Sequence, residues 1–385
     1  MAAAALDGVR VIDTTNNVLG PLATQLLGDM GADVIKIEPP QGDPIRKIGP
    51  SRTPGMGSYF LNLNRNKRSV VLDLKRPAAQ QALLALIGRA DVLVLNMRAV
   101  AAARLGLDYP TLRERFPRLI HAAAGGFRPG SRLGDRPAFD DMIQGMSGMA
   151  ALNGTGGAPR FVPTVLADKL CGHALAYAVV CALLHRERSG AGQAVHVPML
   201  DTMIAFAMVE HLWGATIGEP ARGLGYPRML TPHRRPYATK DGYLCVIAST
   251  DDQWERLLPA IGRAELASDP RFARLEQRSE NIDALYGVLA EAMRERGTAE
   301  WQRRLDAADI PNGPVNDIAD LLDDDYLREV GFFEAWQHPT EGGLTVMPTP
   351  TSLSGSPPVV RRLAPTLGEH TREVLAEIGL DEGVA

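Results

Sequence analysis

The spacing of apolar residues alternates between two periods over the first third of the chain. Short runs rich in Val, Ile and Leu, the pattern of strands buried on both faces, cover 8–13, 33–38, 90–95 and 119–123. Between them, 21–30 and 77–87 carry apolar residues at helical spacing. Strand, helix and strand within about thirty residues predict the βαβ unit of a Rossmann-like, doubly wound parallel sheet, so the predicted fold class is α/β.

The composition of the chain changes near Gly218. Residues 218–236 are rich in Gly, Pro and Arg, and a strand at 243–248 is followed by helical segments. We therefore divide the chain into a large α/β domain, a smaller α+β domain and a C-terminal segment that returns to the large domain. Their predicted bounds are 1–225, 226–327 and 328–385, respectively.

The stretch 161–201 holds the residue that is most suggestive of chemistry. An apolar helix begins near Val165 and is closed by cations and glycines at 186–192, and a short strand follows. Asp168 lies at the start of this helix among apolar residues. It is either a helix cap or an ionised nucleophile beside a cavity, with Gly172 one turn on giving a substrate room to approach.

The overall composition excludes several classes of protein. With 45% hydrophobic and 22% charged residues and a net charge of −4, the chain has the profile of a soluble protein without a nucleic-acid surface. Cys171, Cys181 and Cys245 form no C-x-x-C pair, which favours buried thiols in a reducing compartment over disulfides or a metal site. We find neither a targeting segment nor an uncharged apolar run long enough to span a membrane, so we expect a cytoplasmic protein.

Two further patterns bear on possible ligands. The first loop, 14–21, lacks G-x-G-x-x-G, as do the later loops, so a dinucleotide oxidoreductase is disfavoured. Arg65, Lys67 and Arg68 form a basic patch that leads into a strand. We predict that this patch is a solvated surface rather than a phosphate site.

A series of short segments, in order along the chain, is shared with one family of enzymes. They read LDGVRVID at 6–13, GADVIKIEPP at 31–40, GDP at 42–44, NRNKRS at 64–69, LDLK at 72–75, ADVLV at 90–94, RLG at 104–106, AD at 167–168, GAGQ at 190–193 and MLD at 199–201. Together they resemble the family III CoA-transferases of the CaiB/BaiF type, a family that also includes α-methylacyl-CoA racemases. No single motif is highly specific, but their order is, and the resemblance runs from Leu6 to about Gly331.

The resemblance implies a reaction course for Asp168. In this family the aspartate at its position is the nucleophile of an acyl-CoA:carboxylate CoA-transferase, which moves CoA from an acyl-CoA thioester to a free carboxylic acid. An aspartyl anhydride and an aspartyl-CoA thioester are the implied intermediates. CoA is then part of the substrate, and neither a tightly bound cofactor nor a metal is implied. The glycines at 125–126, 154–157 and 223–225 are either backbone donors for the oxyanions or simple turns.

The resemblance also implies which residues contact CoA. The guanidinium fork of Arg104 suits a phosphate group. Asp140 matches a carboxylate near the thiolate in the transferases, and a helix cap is its other interpretation. Asn16 and Asn17 stand where some transferases have other residues, so we expect an acyl specificity particular to this chain. The implied CoA contacts are Val18, Leu72, Lys75, Asn96, Met97, Arg98, Arg104 and Asp140.

A racemase or an intramolecular CoA isomerase on the same fold is the alternative function. Racemases exchange the α-proton of an acyl-CoA between a His and an Asp. In their pattern the His precedes the position of Asp140, where this chain has Phe139, and a further carboxylate would fall near 248–250, where it has none. These departures favour the transferase. A catalytically silent CoA-binding protein is a third hypothesis, which the intact Asp168 disfavours.

The family forms homodimers in which each chain threads through a ring made by the other. Only the resemblance implies such an interlocked dimer here. The Pro- and Gly-rich crossings near Gly218 and at 339–365 are compatible with it. The expected partners are therefore a second copy of the chain, an acyl-CoA and a carboxylic acid.

Overall fold

The computed structural model describes residues 4–155 and 157–385 of the chain. The strands are β1 (Arg10–Asp13), β2 (Asp33–Glu38), β3 (Lys67–Val71), β4 (Val92–Leu95), β5 (Ile120–Gly125), β6 (Ala194–Pro198), β7 (Tyr237–Ala238), β8 (Tyr243–Val246), β9 (Asn312–Pro314), β10 (Glu334–His338) and β11 (Gly342–Val346). The α-helices are α1 (Leu19–Asp29), α2 (Ser58–Leu61), α3 (Pro77–Ile87), α4 (Ala99–Arg104), α5 (Tyr109–Arg115), α6 (Asp140–Met146), α7 (Met149–Asn153), α8 (Leu166–Ser189), α9 (Met199–Ala207), α10 (Pro227–Leu230), α11 (Asp251–Ala260), α12 (Leu275–Glu280), α13 (Ile282–Met293), α14 (Thr298–Ala307), α15 (Asp325–Glu329) and α16 (Thr371–Glu377).

The described residues fold into two compact units. Unit 1 contains the chain up to Gly148, residues 162–206 and residues 326–385, and unit 2 contains residues 149–161 and 207–325. Unit 1 is thus built from three separate stretches of sequence. Unit 2 is formed mainly by residues 207–325, which lie between the second and third stretches of unit 1.

In unit 1, six described strands form one parallel sheet in the order β3-β2-β1-β4-β5-β6. Val11 of β1 pairs with Val34 on one side and with Val92 on the other, so the strand order reverses between β1 and β4. This is the topological switch point of a doubly wound sheet. The predicted α/β class and parallel sheet are confirmed.

Both faces of this sheet are covered by helices, as its continuous apolar strands require. On one face, Ile12, Ile35 and Leu93 pack in a single core with Leu83 of α3 and Val374 of α16. Helices α1 and α8 pack against each other and against β1, β2, β5 and β6. The C-terminal stretch supplies α16 and, in the antiparallel pair β10–β11, a small separate ribbon.

Unit 2 has its own antiparallel sheet, β7-β8-β9, and its own apolar core. Strand β8 alternates exposed and buried residues, with Leu244 and Val246 facing the core. Trp254, Tyr286 and Trp301, from α11, α13 and α14, complete that core. Alternation of this kind is what a sheet packed on one face produces.

Glycines separate or end helices on either side of Asp168. The sequence pattern at 137–152 predicts a single helix, but the structure has two, α6 and α7, with Gly148 between them at φ +86°. A residue at this φ cannot continue a helix, and only glycine adopts it at low cost. Helix α8 continues to Ser189 and ends on Gly190, which has φ +75° and a backbone N–H bonded to the Arg186 carbonyl. The last turn therefore has the basic residues and glycine that its sequence indicates.

The prediction of a solvated basic patch is wrong. Arg65, Lys67 and Arg68 are all buried, with at most 7% of each residue exposed. They lie on and before the edge strand β3, where each cation meets a carboxylate from a neighbouring element. The partner carboxylates are Asp29, Asp13 and Asp33, at 2.6, 3.1 and 2.7 Å, respectively.

The cysteine prediction is correct only for Cys171, which is buried in α8. Cys181 is exposed because it lies on the outer side of the same helix, and Cys245 is exposed on the open face of β8. Helix α8 is also the one described helix whose length and composition would allow it to cross a membrane. Buried core helices meet the same criterion, and α8 packs against α1 and the sheet.

Candidate functional site

A cavity of about 640 Å³ opens at the carboxyl ends of β1, β4 and β5. Doubly wound sheets bind ligands at this position, where the strand order reverses. The first loop, the turn after β4, the segment before α6 and the start of α8 contribute to its wall. The polar or charged lining residues are Asn16, Asn17, Asn96, Arg98, Asp108, Tyr109, His121, Arg136, Asp168 and His196.

Asp168 reaches this cavity from the first turn of α8. It is the third residue of the helix, and the cap position belongs to Val165, which supplies no side-chain bond. The Asp168 carboxylate is half-buried, and within the described part of the chain it accepts no hydrogen bond. The helix-cap interpretation of Asp168 is therefore wrong, and its carboxylate is free to meet a ligand.

The cap of α8 comes from another helix. Asp140, buried at the start of α6, accepts the backbone N–H of Asp168 through Oδ1 at 3.0 Å. Its Oδ2 accepts from Gln144 Nε2 at 2.6 Å. Asp140 thus satisfies one of the N–H groups that a helix start leaves without an intrahelical partner. It is a cap, but of α8 and not of its own helix.

Burial raises the pKa of Asp168 to about 7, and the neighbouring charge of Asp140 adds to the shift. Burial also raises the pKa of the Tyr59 hydroxyl, and the charges of Asp168 and Asp140 add to that shift. Burial likewise raises the pKa of the Cys171 thiol to about 12. Asp168 therefore lies in a site that is partly shielded from water, and its own pKa is near neutral pH. Strongly shifted pKa values of this kind are frequent at functional sites.

Gly172 has a different role from the one that its sequence context indicates. A Cβ at this position would lie 2.8 Å from the Leu19 carbonyl oxygen and 3.2 Å from Leu22 Cδ2. The missing side chain therefore lets α1 approach α8 closely, and α1 occupies the space that we expected for a substrate. The close approach fixes the start of α8, and with it Asp168, against the first loop.

Buried charges hold the first loop in place. Lys36 Nζ donates to the Thr15 carbonyl at 2.8 Å and lies 2.9 Å from an Asp43 carboxylate oxygen. The other Asp43 oxygen accepts the backbone N–H of Asn17 at 3.2 Å. Asn17 has φ +63°, a conformation that asparagine tolerates better than most residues. The network therefore shapes the part of the cavity wall that the first loop forms.

The structure brings together some of the residues that the resemblance assigns to CoA. Val18, Asn96, Met97 and Arg98 line the cavity together with Asp168, and the Asn96 side chain donates to the Asn16 carbonyl at 2.8 Å. The others do not line it: Leu72 is buried in the core, Lys75 and Arg104 are exposed, and Asp140 is buried behind Asp168. In the described residues, Arg98 and Arg104 have no ion-pair partner.

The glycine segments lie in different places. Gly125 and Gly126 line the cavity at the end of β5. The segments 154–157 and 223–225 belong to unit 2, and Gly156 lies outside the described residues. Phe139, which stands where racemases have a His, lines the cavity and is exposed.

Sequence reasoning did not select Gln144, Tyr59, His121 or His196. Gln144 lies four residues after Asp140 on α6, a spacing that puts two side chains on one helix face and could have suggested the pair. His121 and His196 point to the same face of β5 and β6, but only the strand register reveals this. No signal in the sequence places Tyr59 near Asp168, because they are more than a hundred residues apart.

The arrangement is suited to attack by a carboxylate on an acyl carbon. Asp168 supplies an oxygen nucleophile without a competing donor, and the cavity is large enough for the reacting end of a thioester substrate. Cationic Arg98 and Arg136 at the wall favour an anionic ligand.

Comparison with known proteins agrees with this geometry. The model of CoA-transferase family III matches residues 6–371. The chain is 36% identical to Rv3272, a probable fatty acyl-CoA transferase of Mycobacterium tuberculosis, with 96% of this chain and 97% of the relative covered. It is 33% identical to a succinate–glutarate CoA-transferase of Agrobacterium fabrum, covering 99% and 97% of the two chains.

Solved structures extend the match to three dimensions. A crystal structure of Rv3272 superposes with a TM-score of 0.82 at 34% identity, over 96% of this chain and 99% of that one. A CaiB/BaiF family protein from Brucella suis gives 0.81 at 29% identity, over 98% and 100%. Sequence and fold agree over nearly the whole length, and the protein is an enzyme that belongs to CoA-transferase family III.

Proposed function

We propose that the enzyme moves CoA from an acyl-CoA thioester to a free carboxylic acid, with Asp168 as the covalent nucleophile. The observation that carries this proposal is the Asp168 carboxylate itself. It is half-buried, it lines the cavity and it accepts no hydrogen bond from the described residues. A carboxylate that served only a structural role would be paired or capped.

The proposed course has four steps, each of which breaks one acyl bond and forms another. The Asp168 carboxylate attacks the donor thioester carbonyl, the C–S bond breaks, and a mixed anhydride and CoA thiolate result. The thiolate attacks the aspartyl carbonyl and releases the donor carboxylate, which leaves an aspartyl-CoA thioester. The acceptor carboxylate attacks that thioester, the C–S bond breaks, and a second anhydride and CoA thiolate result. The thiolate then attacks the acceptor acyl carbon and regenerates Asp168.

The cavity wall supports a site for CoA next to Asp168. Val18, Asn96, Met97 and Arg98 are proposed to contact the substrate there, since they share the cavity with the nucleophile. We propose that the exposed and unpaired Arg104 binds a phosphate group, and that Leu72 and Lys75 border the same ligand outside the cavity. We propose that Asp140 does not contact CoA, because it is buried, does not line the cavity and already accepts hydrogen bonds from Asp168 and Gln144.

The names of the relatives supply candidate substrates. They include a probable fatty acyl-CoA transferase, a succinate–glutarate CoA-transferase and an acetyl-CoA:oxalate CoA-transferase. We therefore propose acyl-CoA donors and carboxylate acceptors of these classes as the panel to test. We also propose that the enzyme works as a homodimer and is cytoplasmic. The exposed apolar side chains of α8, among them Tyr177 and Leu184, support burial by a second chain.

Mass spectrometry of trapped intermediates tests the proposal. The protein is incubated with each acyl-CoA, quenched with hydroxylamine or borohydride, and digested. We expect a modified peptide containing Asp168, which is absent in Asp168→Asn and present in Asp141→Asn, a neighbouring exposed carboxylate. An added free acid should appear as its CoA thioester. Exchange of the α-proton in deuterated water without an adduct would instead support a racemase, despite Phe139.

A further inference from the structure

A second cavity, of about 480 Å³, is lined by residues of unit 2 alone. Residues 234–236, which lead into β7, form one wall. Residues 245–247, at the end of β8, form the wall opposite. None of its lining residues also lines the cavity that holds Asp168. These residues therefore have no part in the proposed transfer as it stands.

This cavity is a gap in the ladder of hydrogen bonds between β7 and β8. Tyr237 pairs with Leu244, so an unbroken antiparallel ladder would next bond Arg235 to Val246. The Arg235 N–H instead donates to the His233 carbonyl at 3.0 Å. The ring of the residue between Arg235 and Tyr237, a proline, fixes φ at about −65°, whereas an antiparallel strand has about −140°. Residues 234–236 therefore leave the strand direction and open the gap.

The gap leaves the backbone N–H of Val246 without an acceptor. Successive residues of an antiparallel strand bond to neighbours on opposite sides. Ile247 donates to the Pro311 carbonyl on the β9 side at 3.2 Å, so the Val246 N–H is directed to the other side, toward Arg235. In the described part of the chain this N–H makes no hydrogen bond. A backbone donor at a buried residue is costly unless a ligand or water satisfies it.

The Tyr286 hydroxyl is a second unused donor at the cavity. Tyr286 is only 3% exposed, and its oxygen accepts from Arg228 Nε at 2.6 Å and from Arg234 Nη1 at 3.4 Å. A guanidinium group can only donate, so neither bond uses the hydroxyl hydrogen, and no described residue accepts it. Arg228 Nη2 also donates to the Ala248 carbonyl at 2.6 Å, two residues after Val246. This bond brings the hydroxyl to the stretch of chain that carries the free N–H.

The charge of the cavity is positive. Arg234 and Arg235 both line it, and neither forms an ion pair with any carboxylate that the structure describes. The described lining residues include no Asp or Glu. Much of the remaining wall is apolar and is formed by Pro236, Ile247 and Pro311 together with the side of β8. The cavity thus combines unpaired cations and free donors with an apolar surface.

We propose that this cavity of unit 2 binds an organic acid through its carboxylate group. The carboxylate oxygens accept from the Val246 N–H and the Tyr286 hydroxyl, while Arg234 and Arg235 balance the negative charge. The apolar wall covers the hydrocarbon body of the acid. That wall favours an organic acid over inorganic phosphate, which has no apolar part. The site is inferred from unit 2 alone and does not depend on the role of Asp168.

The backbone N–H of Val246 provides a direct measurement of binding. The full-length protein is labelled with ¹⁵N-valine, Val246→Ile assigns the signal, and hexanoate is the probe. We expect the Val246 amide proton to move downfield and to saturate with hexanoate, because it gains a carboxylate acceptor. Hexanamide, which has the same body without the charge, should leave the signal in place. The absence of a saturable shift with hexanoate would overturn the proposal.

Inorganic phosphate separates the two kinds of anion that the donors could accept. Phosphate should neither move the Val246 signal nor displace hexanoate, because it gains nothing from the apolar wall. Displacement of hexanoate by an equal concentration of phosphate would contradict the assignment of the site to an organic acid.

Two variants remove one donor each. Tyr286→Phe keeps the ring in the core of unit 2 and loses the hydroxyl, and Arg235→Met removes an exposed charge. Each should weaken hexanoate binding about tenfold, since a contact with a charged group is lost. Tyr243→Phe and Arg294→Met, at exposed residues of unit 2, are the matched controls and should leave the affinity unchanged.

Arg235→Met keeps the test decisive if Tyr286→Phe fails to fold, because the residue is exposed and its side chain makes no hydrogen bond to the described residues. Unaltered affinity in Arg235→Met would overturn the proposal. The result is also separate from trapping at Asp168. An adduct at Asp168 without a response at Val246 removes this site and leaves the transferase, whereas a response at Val246 without an adduct does the reverse.

Discussion

At the scale of single residues, the proposed mechanism makes the charge on Asp168 decide when the enzyme can react. Only the carboxylate attacks a thioester, and burial together with Asp140 raises the pKa of Asp168 to about 7. We therefore expect the rate of adduct formation to rise about fivefold between pH 6 and pH 7 and to level off above pH 8. Quenched single-turnover measurements across this range test it. A rate that is flat from pH 5 upward would mean that Asp168 is ionised throughout.

The raised pKa also has a cost in stability. Well below pH 4, Asp168 is protonated in both the folded and the unfolded chain, so its charge does not affect stability. Above pH 7 it is ionised in both states, and burial beside Asp140 makes that charge unfavourable only in the folded state. The contribution to stability therefore falls as the pH rises from about 4 to about 7. Asp168→Asn should raise the free energy of unfolding at pH 8 by about 3 kcal/mol, and by less at pH 5.

Urea denaturation at the two pH values measures this difference. Asp141→Asn, which removes an exposed carboxylate from α6, is the matched control and should change the free energy of unfolding by less than about 0.5 kcal/mol. Equal effects of Asp168→Asn at pH 5 and pH 8 would show that the gain does not come from ionisation.

Single residues also show the limits of what the sequence predicts. A charge among apolar neighbours, together with the ordered family motifs, was sufficient to select Asp168, which lines the cavity. Arg65 and Arg68 were predicted to be exposed to solvent but are buried. Their partners Asp29 and Asp33 are distant in sequence, so the sequence pattern does not reveal the ion pairs. Gln144 was missed for the same reason, because its contacts with Asp140 and with the backbone of Val162 and Thr164 form only in the folded chain.

At the scale of elements, the contact between α1 and α8 can be tested with two helical glycines. In Gly172→Ala the new methyl group would lie 2.8 Å from the Leu19 carbonyl oxygen, so the helices must separate. We expect a loss of about 1–3 kcal/mol in the free energy of unfolding and weaker adduct formation at Asp168, one turn away. Thermal and urea unfolding, with the trapping assay, measure both.

Gly145 on α6 provides the control for this substitution. A Cβ there meets no atom within 4 Å, and the residue is exposed. Gly145→Ala should therefore stabilise the protein by about 0.5–1 kcal/mol through helix propensity alone. If both substitutions stabilise, the close approach of α1 to α8 is not a constraint.

The buried ion pairs under the first loop offer a second test at this scale. Lys67 is fully buried and donates to Asp13 at 3.1 Å, to the Pro21 carbonyl and to Asn64. Lys67→Met removes the ion-pair partner of the buried Asp13, which keeps only neutral donors among the described residues, such as Thr15 and Thr24, and should cost about 3–5 kcal/mol. Lys47→Met, at an exposed lysine, should have no measurable effect in the same denaturation experiment. A small loss at Lys67 would mean that water reaches Asp13.

The elements themselves were largely predictable. The apolar runs of β1, β2 and β4 and the helical spacing of α1 and α3 are strong local signals, and the strand-helix order implies the parallel sheet. The break between α6 and α7 was not predicted. A glycine within an apolar pattern can either continue a helix or end it, and the positive φ of Gly148 is decided by packing rather than by its neighbours in sequence.

At the scale of the whole molecule, the open question is the second chain. Helix α8 exposes Tyr177, Val180 and Leu184 on one side, and exposed apolar side chains at helical spacing favour association. We expect light scattering of the folded protein to give twice the 41.5 kDa mass of one chain at every protein concentration tested. Leu184→Glu should weaken the assembly and Arg113→Glu, at an exposed residue of α5, should not. A concentration-dependent monomer would contradict the proposed dimer.

The ion cluster around Arg68 has a consequence for how the protein is made. Arg68 on β3 is buried and pairs with Asp33 nearby and with Glu373 and Glu377 on α16, about 300 residues later. A ribosome needs about 15–60 s to cover that distance. Through that interval all of unit 2 emerges while β3 lacks the cover that α16 gives it, and the Arg68 guanidinium lacks two of its three carboxylate partners. The edge strand β3 of the nascent chain is therefore open to aggregation until α16 leaves the exit tunnel.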